Sequence, residues 1–371
     1  SIDRRVQYVA HRELRRALLR HRASSGSVVV LDIPTGEVIA MVNQPSYNPN
    51  ARQSGQKSAR RNRAVTDLVE PGSVIKVFTV AAAMENGADP TRQIDTRPGF
   101  FPLRNHIIRD VRDFGMVDMT RLLQKSSNIA SSKLALEMSD EHFYDVLRRF
   151  GFAQSTNSGF PGEAGGRLEA PQGWGEVEKA TISYGYGISV TSLQIAQAYA
   201  ALANGGRVLP PTFVHGGNAS HGEGRLVIDP QIARSGVGMR ESGVAPGGTA
   251  TTAAVDGYRV AGKSGTTRRA VAGGYERRHI SMFAGIVPVQ APRLATVVVI
   301  HDPSAGQFFG GAVAAPVFHG IMDAALRLMD VPPDNVDAWL ANASVAHTGK
   351  NDNNGLLRPK SISASLTEAG P

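Results

Sequence analysis

The chain has 371 residues, of which 42% are hydrophobic; it contains no cysteine and carries a formal net charge of +8. That is enough apolar sequence for a full core in one large domain or two ordinary ones, and too much for a disordered scaffold. The lack of cysteine excludes a disulfide framework, a thiol nucleophile and a cysteine-ligated zinc, and no apolar run approaches the ~20 residues of a membrane-spanning helix.

Much of the positive charge sits in residues 1–22, where Arg4, Arg5, Arg12, Arg15, Arg16, Arg20 and Arg22 stand against Asp3 and Glu13. This stretch reads as a basic N-terminal arm, a solvated helix and linker. With no helix-turn-helix, zinc finger or aromatic RNA-binding signature, nucleic acid is a poor partner for it. Next come Gly26 to Asp32, the turn Pro34-Thr35-Gly36 and Glu37 to Val42, a β-branched hairpin. Pro71-Gly72 then punctuates the chain before a helix over Ser73 to Asn86, whose apolar residues recur at helical spacing up to the C-capping Gly87. Residues 88–215 read as a mainly helical subdomain, ending in a helix capped by Thr191 and Gly205. Strand patterns return at Tyr258 to Thr266, Ile280 to Val287 and Leu294 to His301, followed by an amphipathic helix from Ala315 to Met329. Strands at both ends with helices between them predict an α/β fold, one antiparallel sheet assembled from distant pieces with a helical lobe inserted. The main domain is expected over 23–335, and the polar residues 336–371 as a mobile tail without chemistry.

Three short motifs carry the chemistry. Ser73-Val74-Ile75-Lys76 opens an apolar helix, where positions i and i+3 share a face and a lysine can serve a serine as base. Ser54-Gly55-Gln56-Lys57 has the same pattern in a polar loop, and Ser73 taken alone reads more readily as an ordinary helix N-cap. Ser126-Ser127-Asn128 falls between two helical segments, where a hydroxyl can relay a proton and an amide can hold a carbonyl and a lysine together; Ser46-Tyr47-Asn48 and Ser155-Thr156-Asn157 match without that setting. Lys263-Ser264-Gly265 occurs once, at the end of a strand and before Thr266. An edge strand with a cation, a hydroxyl and bare glycine backbone suits a peptide carboxylate, although a surface lysine on a sheet edge has the same signature. Burial and the neighbouring Lys263 would lower the Lys76 pKa, and the backbone N–H groups of Ser73 and Thr266 could converge on an oxyanion.

With Glu70-Pro71-Gly72 before Ser73, Gly159-Phe160-Pro161-Gly162-Glu163, Tyr184-Gly185-Tyr186-Gly187, and Phe309-Gly310-Gly311 running on to Ala315-Pro316-Val317-Phe318, the set resembles class B penicillin-binding proteins. It is most similar to the division-specific D,D-transpeptidases of Gram-negative bacteria, the penicillin-binding protein 3 type, over residues 1–335 or so. The resemblance implies the penicillin-recognising serine transpeptidase/β-lactamase-like fold, with a five-stranded antiparallel sheet flanked by helices. It also implies peptidoglycan cross-linking: Ser73 attacks the penultimate D-Ala carbonyl of a stem pentapeptide, the terminal D-Ala leaves, and a neighbouring stem's amine resolves the acyl-enzyme. β-Lactam antibiotics would acylate the same serine. By the family pattern Lys76 is the general base, Ser126 and Asn128 form the relay and holding group, and Lys263, Ser264, Gly265 and Thr266 bind the carboxylate and complete the oxyanion hole. Phe308, Phe309 and, less directly, Tyr275 would line the wall against the substrate side chain. Relatives often carry Tyr where Phe308 stands and Ala where Thr267 stands, departures that touch the pocket lining only.

The resemblance further implies a transmembrane anchor and a pedestal domain outside this sequence, a place on the periplasmic face of the inner membrane, and divisome partners including a glycan polymerase. No metal or organic cofactor is implied, and His215 and His221 read as solvated. Rivals are a D,D-carboxypeptidase, a serine β-lactamase, for which no Glu-x-x-Leu-Asn loop is found, and a non-catalytic β-lactam sensor or division scaffold.

Overall fold

β1 (Ser25–Asp32) and β2 (Val38–Gln44) form the expected antiparallel hairpin. Together with β3 (Ala261–Val271), β4 (Gly274–Val287) and β5 (Leu294–His301) they build one antiparallel sheet in the order β3-β4-β5-β1-β2. A computed structural model describes residues 1–48, 50, 57–217, 222–271 and 274–336. The helices used below are α1 (Arg4–His21), α2 (Lys76–Glu85), α3 (Met119–Lys125), α4 (Asn128–Leu136), α5 (Ser192–Ala203), α6 (Pro230–Glu241) and α7 (Ala315–Leu328).

Alternation along the central strands divides the core in two. Val28 and Val30 face a cluster with Phe283, Val298, Phe318 and Ile321, whereas Val29 and Leu31 face the larger cluster with Phe78, Tyr199 and Met282. With both faces covered, β1 and β5 read as nearly unbroken apolar runs. The larger cluster extends into the helical lobe, so α2 and α5 lie buried between lobe and sheet. The α5 cap is a full capping box between Thr191 and Gln194.

The structure corrects three expectations. Residues 4–21 are no solvated arm: Val6, Ala10, Leu14 and Ala17 recur on one face and pack with α7 onto the sheet. Charge counting hid this stripe because the arginines occupy the solvent face of an amphipathic helix. The subdomain at 88–215 is less helical than expected, since short ribbons pair Ile94–Asp95 with Met116–Val117, Phe100–Leu103 with His106–Arg109, and Arg167–Leu168 with Ile188–Ser189. Finally, β3 begins at Ala261 rather than Tyr258, and β3 and β4 run past the sheet as an exposed ribbon over residues 268–271 and 274–278. With no buried face, that ribbon carries no apolar alternation to read.

Among the described residues no helix is long and apolar enough to cross a membrane. The second Ser-x-x-Lys match at Ser54, His221 and the tail beyond residue 336 lie outside the described residues. His215, expected to be solvated, keeps an exposed ring but hydrogen-bonds Glu37 at 3.2 Å.

Candidate active site

Ser73 lies in a 3-10 turn, Gly72–Ile75, that leads directly into α2. Backbone contacts clamp the turn from two sides. Gly72 N–H donates to Gly185 O at 3.1 Å, and Val69 exchanges backbone bonds with Val190 at 2.9 Å. Gly72 (φ +54) and Gly185 (φ +91) meet so closely that a Cβ on Gly185 would fall 2.2 Å from Gly72 O. On the other side a Cβ on Gly72 would meet Thr267 Cγ2 at 2.5 Å and Thr266 N at 3.9 Å. The residue before Ser73 therefore rides against the edge strand beside the Lys-Ser-Gly triplet.

Lys76, one turn on, is fully buried. Its Nζ donates to Ser126 O at 2.5 Å, Ser126 Oγ at 3.2 Å and Asn128 Oδ1 at 2.7 Å. Those three acceptors use every hydrogen of an ammonium. The Ser73–Lys76 hydrogen bond of the expected pair is not made, and among the described residues Ser73 Oγ has no hydrogen-bond partner. Burial pulls Lys76 down from 10.5 to about 7, with the Asp110 carboxylate pulling the other way. Once neutral, the amine has a lone pair to offer a hydroxyl.

Asp110 fixes the other half of this arrangement, and no sequence pattern pointed to it. It accepts from Ser127 Oγ and Asn128 N, both at 2.5 Å, and from Ile129 N at 3.2 Å, at the positive end of α4. Asn128 Nδ2 donates to Arg109 O at 3.0 Å, which turns its Oδ1 to Lys76. Between α3 and α4, Ser126 adopts a left-handed backbone (φ 62, ψ 40), aiming both its carbonyl and its hydroxyl at Lys76. Such a conformation is unfavourable for a side-chain-bearing residue and is held here by its surroundings.

Along β3 the side chains alternate. Lys263 and Thr267 are buried, and Ser264 and Thr266 face the opposite way. Lys263 Nζ donates to Ser264 O at 2.9 Å and Thr249 Oγ1 at 3.4 Å; Thr249 and Ser264 hydroxyls lie 2.8 Å apart. Thr266 Oγ1 accepts from Gly310 N at 2.9 Å, leaving its hydroxyl hydrogen to donate. The Lys263 ammonium is held well below the usual lysine range by burial, then by the charges of Lys76 and Arg240. The charge of Lys76 thus bears on Lys263, which brings the first and third motifs to one place.

The aromatic wall divides. Phe308 and Phe309 have ring centres 4.6 Å apart, Phe308 stacks on His279 at 4.1 Å, and Phe309 is exposed. Tyr275 makes no ring contact with them among the described residues. It packs edge-on to Tyr186 at 5.8 Å and donates its hydroxyl to Glu70 Oε1 at 3.0 Å. Glu70 also accepts from Gly187 N at 2.9 Å, and burial pushes its carboxyl up. Glu163 is occupied within its own loop, accepting from Thr156 N at 2.6 Å and Ser158 Oγ at 2.7 Å. Asp110, Thr249 and Glu70 are the neighbours that sequence reasoning missed; each acts through position in space, not spacing in the chain.

A serine at a helix start, a sealed lysine one turn on and an edge strand carrying a second lysine thus lie on adjoining elements. Residues 26–323 match the penicillin binding protein transpeptidase domain, and the chain belongs to that family. Over 352 residues it is 42% identical to the peptidoglycan D,D-transpeptidase FtsI of Escherichia coli K12, covering 94% of this chain and 59% of that protein. Over 335 residues it is 39% identical to a protein named probable peptidoglycan D,D-transpeptidase PenA in Neisseria flavescens, covering 90% of this chain and 83% of that one. The solved transpeptidase domain of Burkholderia pseudomallei penicillin-binding protein 3 superposes with a TM-score of 0.82 at 38% identity, covering 90% and 97% of the two chains.

Proposed function

We propose that this chain is the catalytic part of a peptidoglycan D,D-transpeptidase working through a serine acyl-enzyme. Ser73 gives its proton to neutral Lys76 as its Oγ bonds to the penultimate D-Ala carbonyl carbon. The oxyanion that forms is met by the N–H groups of Ser73 and Thr266. The peptide C–N bond then breaks, and the departing D-Ala amine takes a proton relayed from Lys76 through Ser126 Oγ. An amine from a second stem attacks the ester carbonyl, loses its proton along the same path, and frees Ser73. Lys263, Ser264 and Thr266 hold the substrate's terminal carboxylate; Phe308 and Phe309 border its side chain, and Tyr275 buttresses the nucleophile turn through Glu70. A β-lactam, whose strained amide and carboxylate occupy the same positions, acylates Ser73.

The observation that carries this reading is Lys76, sealed from solvent, brought near neutrality and bonded to both Ser126 and Asn128. The engagement of both Glu163 oxygens by their own loop favours a transpeptidase over a β-lactamase, since that carboxylate is committed to shaping a turn. The test is intact mass after incubation with a penicillin. One long-lived adduct is expected, absent from Ser73→Ala; rapid return to the unmodified mass would mean a hydrolase, and an adduct on the variant would remove Ser73 from the chemistry. The resemblance extends the reading to the septum, at the periplasmic face of the inner membrane, beside divisome proteins and a glycan polymerase. Fluorescent-penicillin labelling concentrated away from division sites would refute that extension.

A further inference from the structure

Ser183 ends the short helix Glu176–Ile182 and leads into Tyr184-Gly185-Tyr186-Gly187, a stretch whose side chains take no part in the proposed chemistry. Its carbonyl is among the last of that helix and so has no partner within it. Two hydroxyls from elsewhere reach it. Thr79 Oγ1 of α2 and Ser131 Oγ of α4 both donate to Ser183 O at 2.8 Å, which uses both lone pairs of the carbonyl. All three residues are sealed from solvent. A serine or threonine inside a helix commonly turns its hydroxyl back to a carbonyl of the preceding turn. Each hydroxyl has one hydrogen, and here both leave their own helices for the same foreign acceptor.

The spacing gives this meeting a place in the site. Thr79 stands three residues after Lys76, and Ser131 stands three after Asn128. Residues i and i+3 share a helix face, so α2 and α4 are joined across one seam by two rungs. The first is Lys76 Nζ to Asn128 Oδ1 at 2.7 Å; the second, one turn on, is the junction of Thr79 and Ser131 at Ser183 O. From Ser183 the chain follows the segment that bears Ser73. Gly185 O accepts from Gly72 N at 3.1 Å, Gly187 N donates to Glu70 Oε1 at 2.9 Å, and Val190 exchanges backbone bonds with Val69 at 2.9 Å. The strap over residues 183–190 therefore registers α2, α4 and the nucleophile turn against one another. Valine would fill the space at 79, and alanine is the better helix former at 131. A single donor would satisfy the carbonyl; two, from the two motif-bearing helices, make it a junction.

We propose that Thr79 and Ser131 are positioning residues for acylation, which lock α2 to α4 through the Ser183 carbonyl and so keep Lys76 in register with Asn128. The proposal rests on the transpeptidase reading above. In that mechanism the first rung is disturbed, because all three hydrogens of the Lys76 ammonium are engaged at rest and the nitrogen has to lose one and face Ser73. The second rung is built from hydroxyls and a carbonyl that keep their protons throughout. It holds the two helices still while the first rung rearranges. Sealed from solvent, Thr79 and Ser131 act only through Lys76 and Asn128.

The test follows labelling of Ser73 by a fluorescent penicillin, resolved into the dissociation constant of the first complex and the limiting acylation rate. The variants are Thr79→Val, Thr79→Ser, Ser131→Ala and the double change Thr79→Val with Ser131→Ala, each assayed well below its own melting midpoint. Thr79→Val keeps the bulk and loses the hydroxyl, whereas Thr79→Ser keeps the hydroxyl and loses a methyl group. The limiting rate should fall roughly tenfold in Thr79→Val and in Ser131→Ala, with the dissociation constant within about twofold of native. Thr79→Ser should acylate at the native rate even where its melt is lower. Because either change alone breaks the junction, the double variant should lose about as much rate as one change, not the product of two. A packing role reverses the order of the valine and serine variants; that order, or losses that multiply, overturns the proposal, as does a native limiting rate in either Thr79→Val or Ser131→Ala. If the double variant does not fold, the single variants decide. If those do not fold either, the hydroxyls are a folding requirement and the proposal falls. An unaltered chain that takes up no penicillin at Ser73 brings down the transpeptidase reading and this inference together; variants that match an active native chain sink the inference alone.

Discussion

Acidifying the protein from about pH 8 to about pH 6 should slow penicillin acylation of Ser73 roughly tenfold, because only a neutral Lys76 can take the serine proton. Burial sets the Lys76 ammonium at about 7. Some ~90% of molecules are then ready at the upper pH and ~10% at the lower. The same displacement bears on stability. An unfolded chain keeps this lysine proton up to about 10.5, while the folded chain gives it up at about 7. Unfolding therefore takes up a proton between those values, so this group's contribution to the unfolding free energy rises with pH across that window, by about 1.4 kcal/mol per unit. Below the folded value the penalty is complete, on the order of 4–5 kcal/mol; above the unfolded value it has vanished. Stopped-flow acylation gives the first readout, and denaturant melts of the native chain against Lys76→Met at several pH values isolate the second. An acylation rate that stays flat from acid to neutral pH, or a stability difference from Lys76→Met that does not change on the alkaline side of neutrality, would refute this account of the lysine.

Asp110→Asn should move the acid limb of that pH–rate profile to lower pH, since the carboxylate that favours the Lys76 ammonium is gone. The same change weakens the hold on Ser127 and Asn128, and a loss of about 1–3 kcal/mol in a denaturant melt is expected; a limb displaced upward would contradict the assigned sign. Gly185→Ala forces a Cβ to within 2.2 Å of Gly72 O at a backbone φ of +91. Backbone has to yield on both sides, so a loss of about 3 kcal/mol and a more than tenfold drop in acylation are expected. Acylation at the native rate in that variant would show that the turn is not held as described.

The two kinds of information in the sequence fared differently. Periodicity found β1, β2, β5 and α2 because each buries a regular face, and the settings of helix start and inter-helix break were read correctly for Ser73 and Ser126, whereas Lys263, expected at the end of its strand, stands near the start of β3. What periodicity could not see was a polar two-stranded ribbon, or a helix whose arginines outnumber its apolar stripe. The site was legible where roles ride on covalent spacing, as in Ser73 and Lys76. It was opaque where they depend on the fold bringing distant side chains together: Asp110 reaches the Ser-x-Asn turn from a short ribbon, Thr249 reaches Ser264 from a loop, and Tyr275 turns to Glu70 rather than to Phe308. Arg240 carried no signal, since an arginine in an amphipathic helix is by default a solvent-facing residue.

Sealing Lys76, Lys263 and Arg240 in one seam, with the Asp110 carboxylate bearing on Lys76, is unfavourable for an empty protein. The left-handed Ser126 adds to the strain. A continuous core on both faces of the sheet can offset such terms, yet offsetting them does not explain why they gather at one place. Under the proposed function an incoming carboxylate supplies the explanation. Laid beside Ser264 and Thr266 it brings the negative charge the seam lacks, and the field that penalised Lys263 when empty becomes favourable when occupied. The unfavourable charge is then electrostatic preorganisation, built in before the ligand arrives, so that reorganisation is not needed when the oxyanion forms. It follows that a ligand lacking the carboxylate should lose more than one hydrogen-bonding group's worth of affinity, because it leaves the cations as uncompensated as it found them.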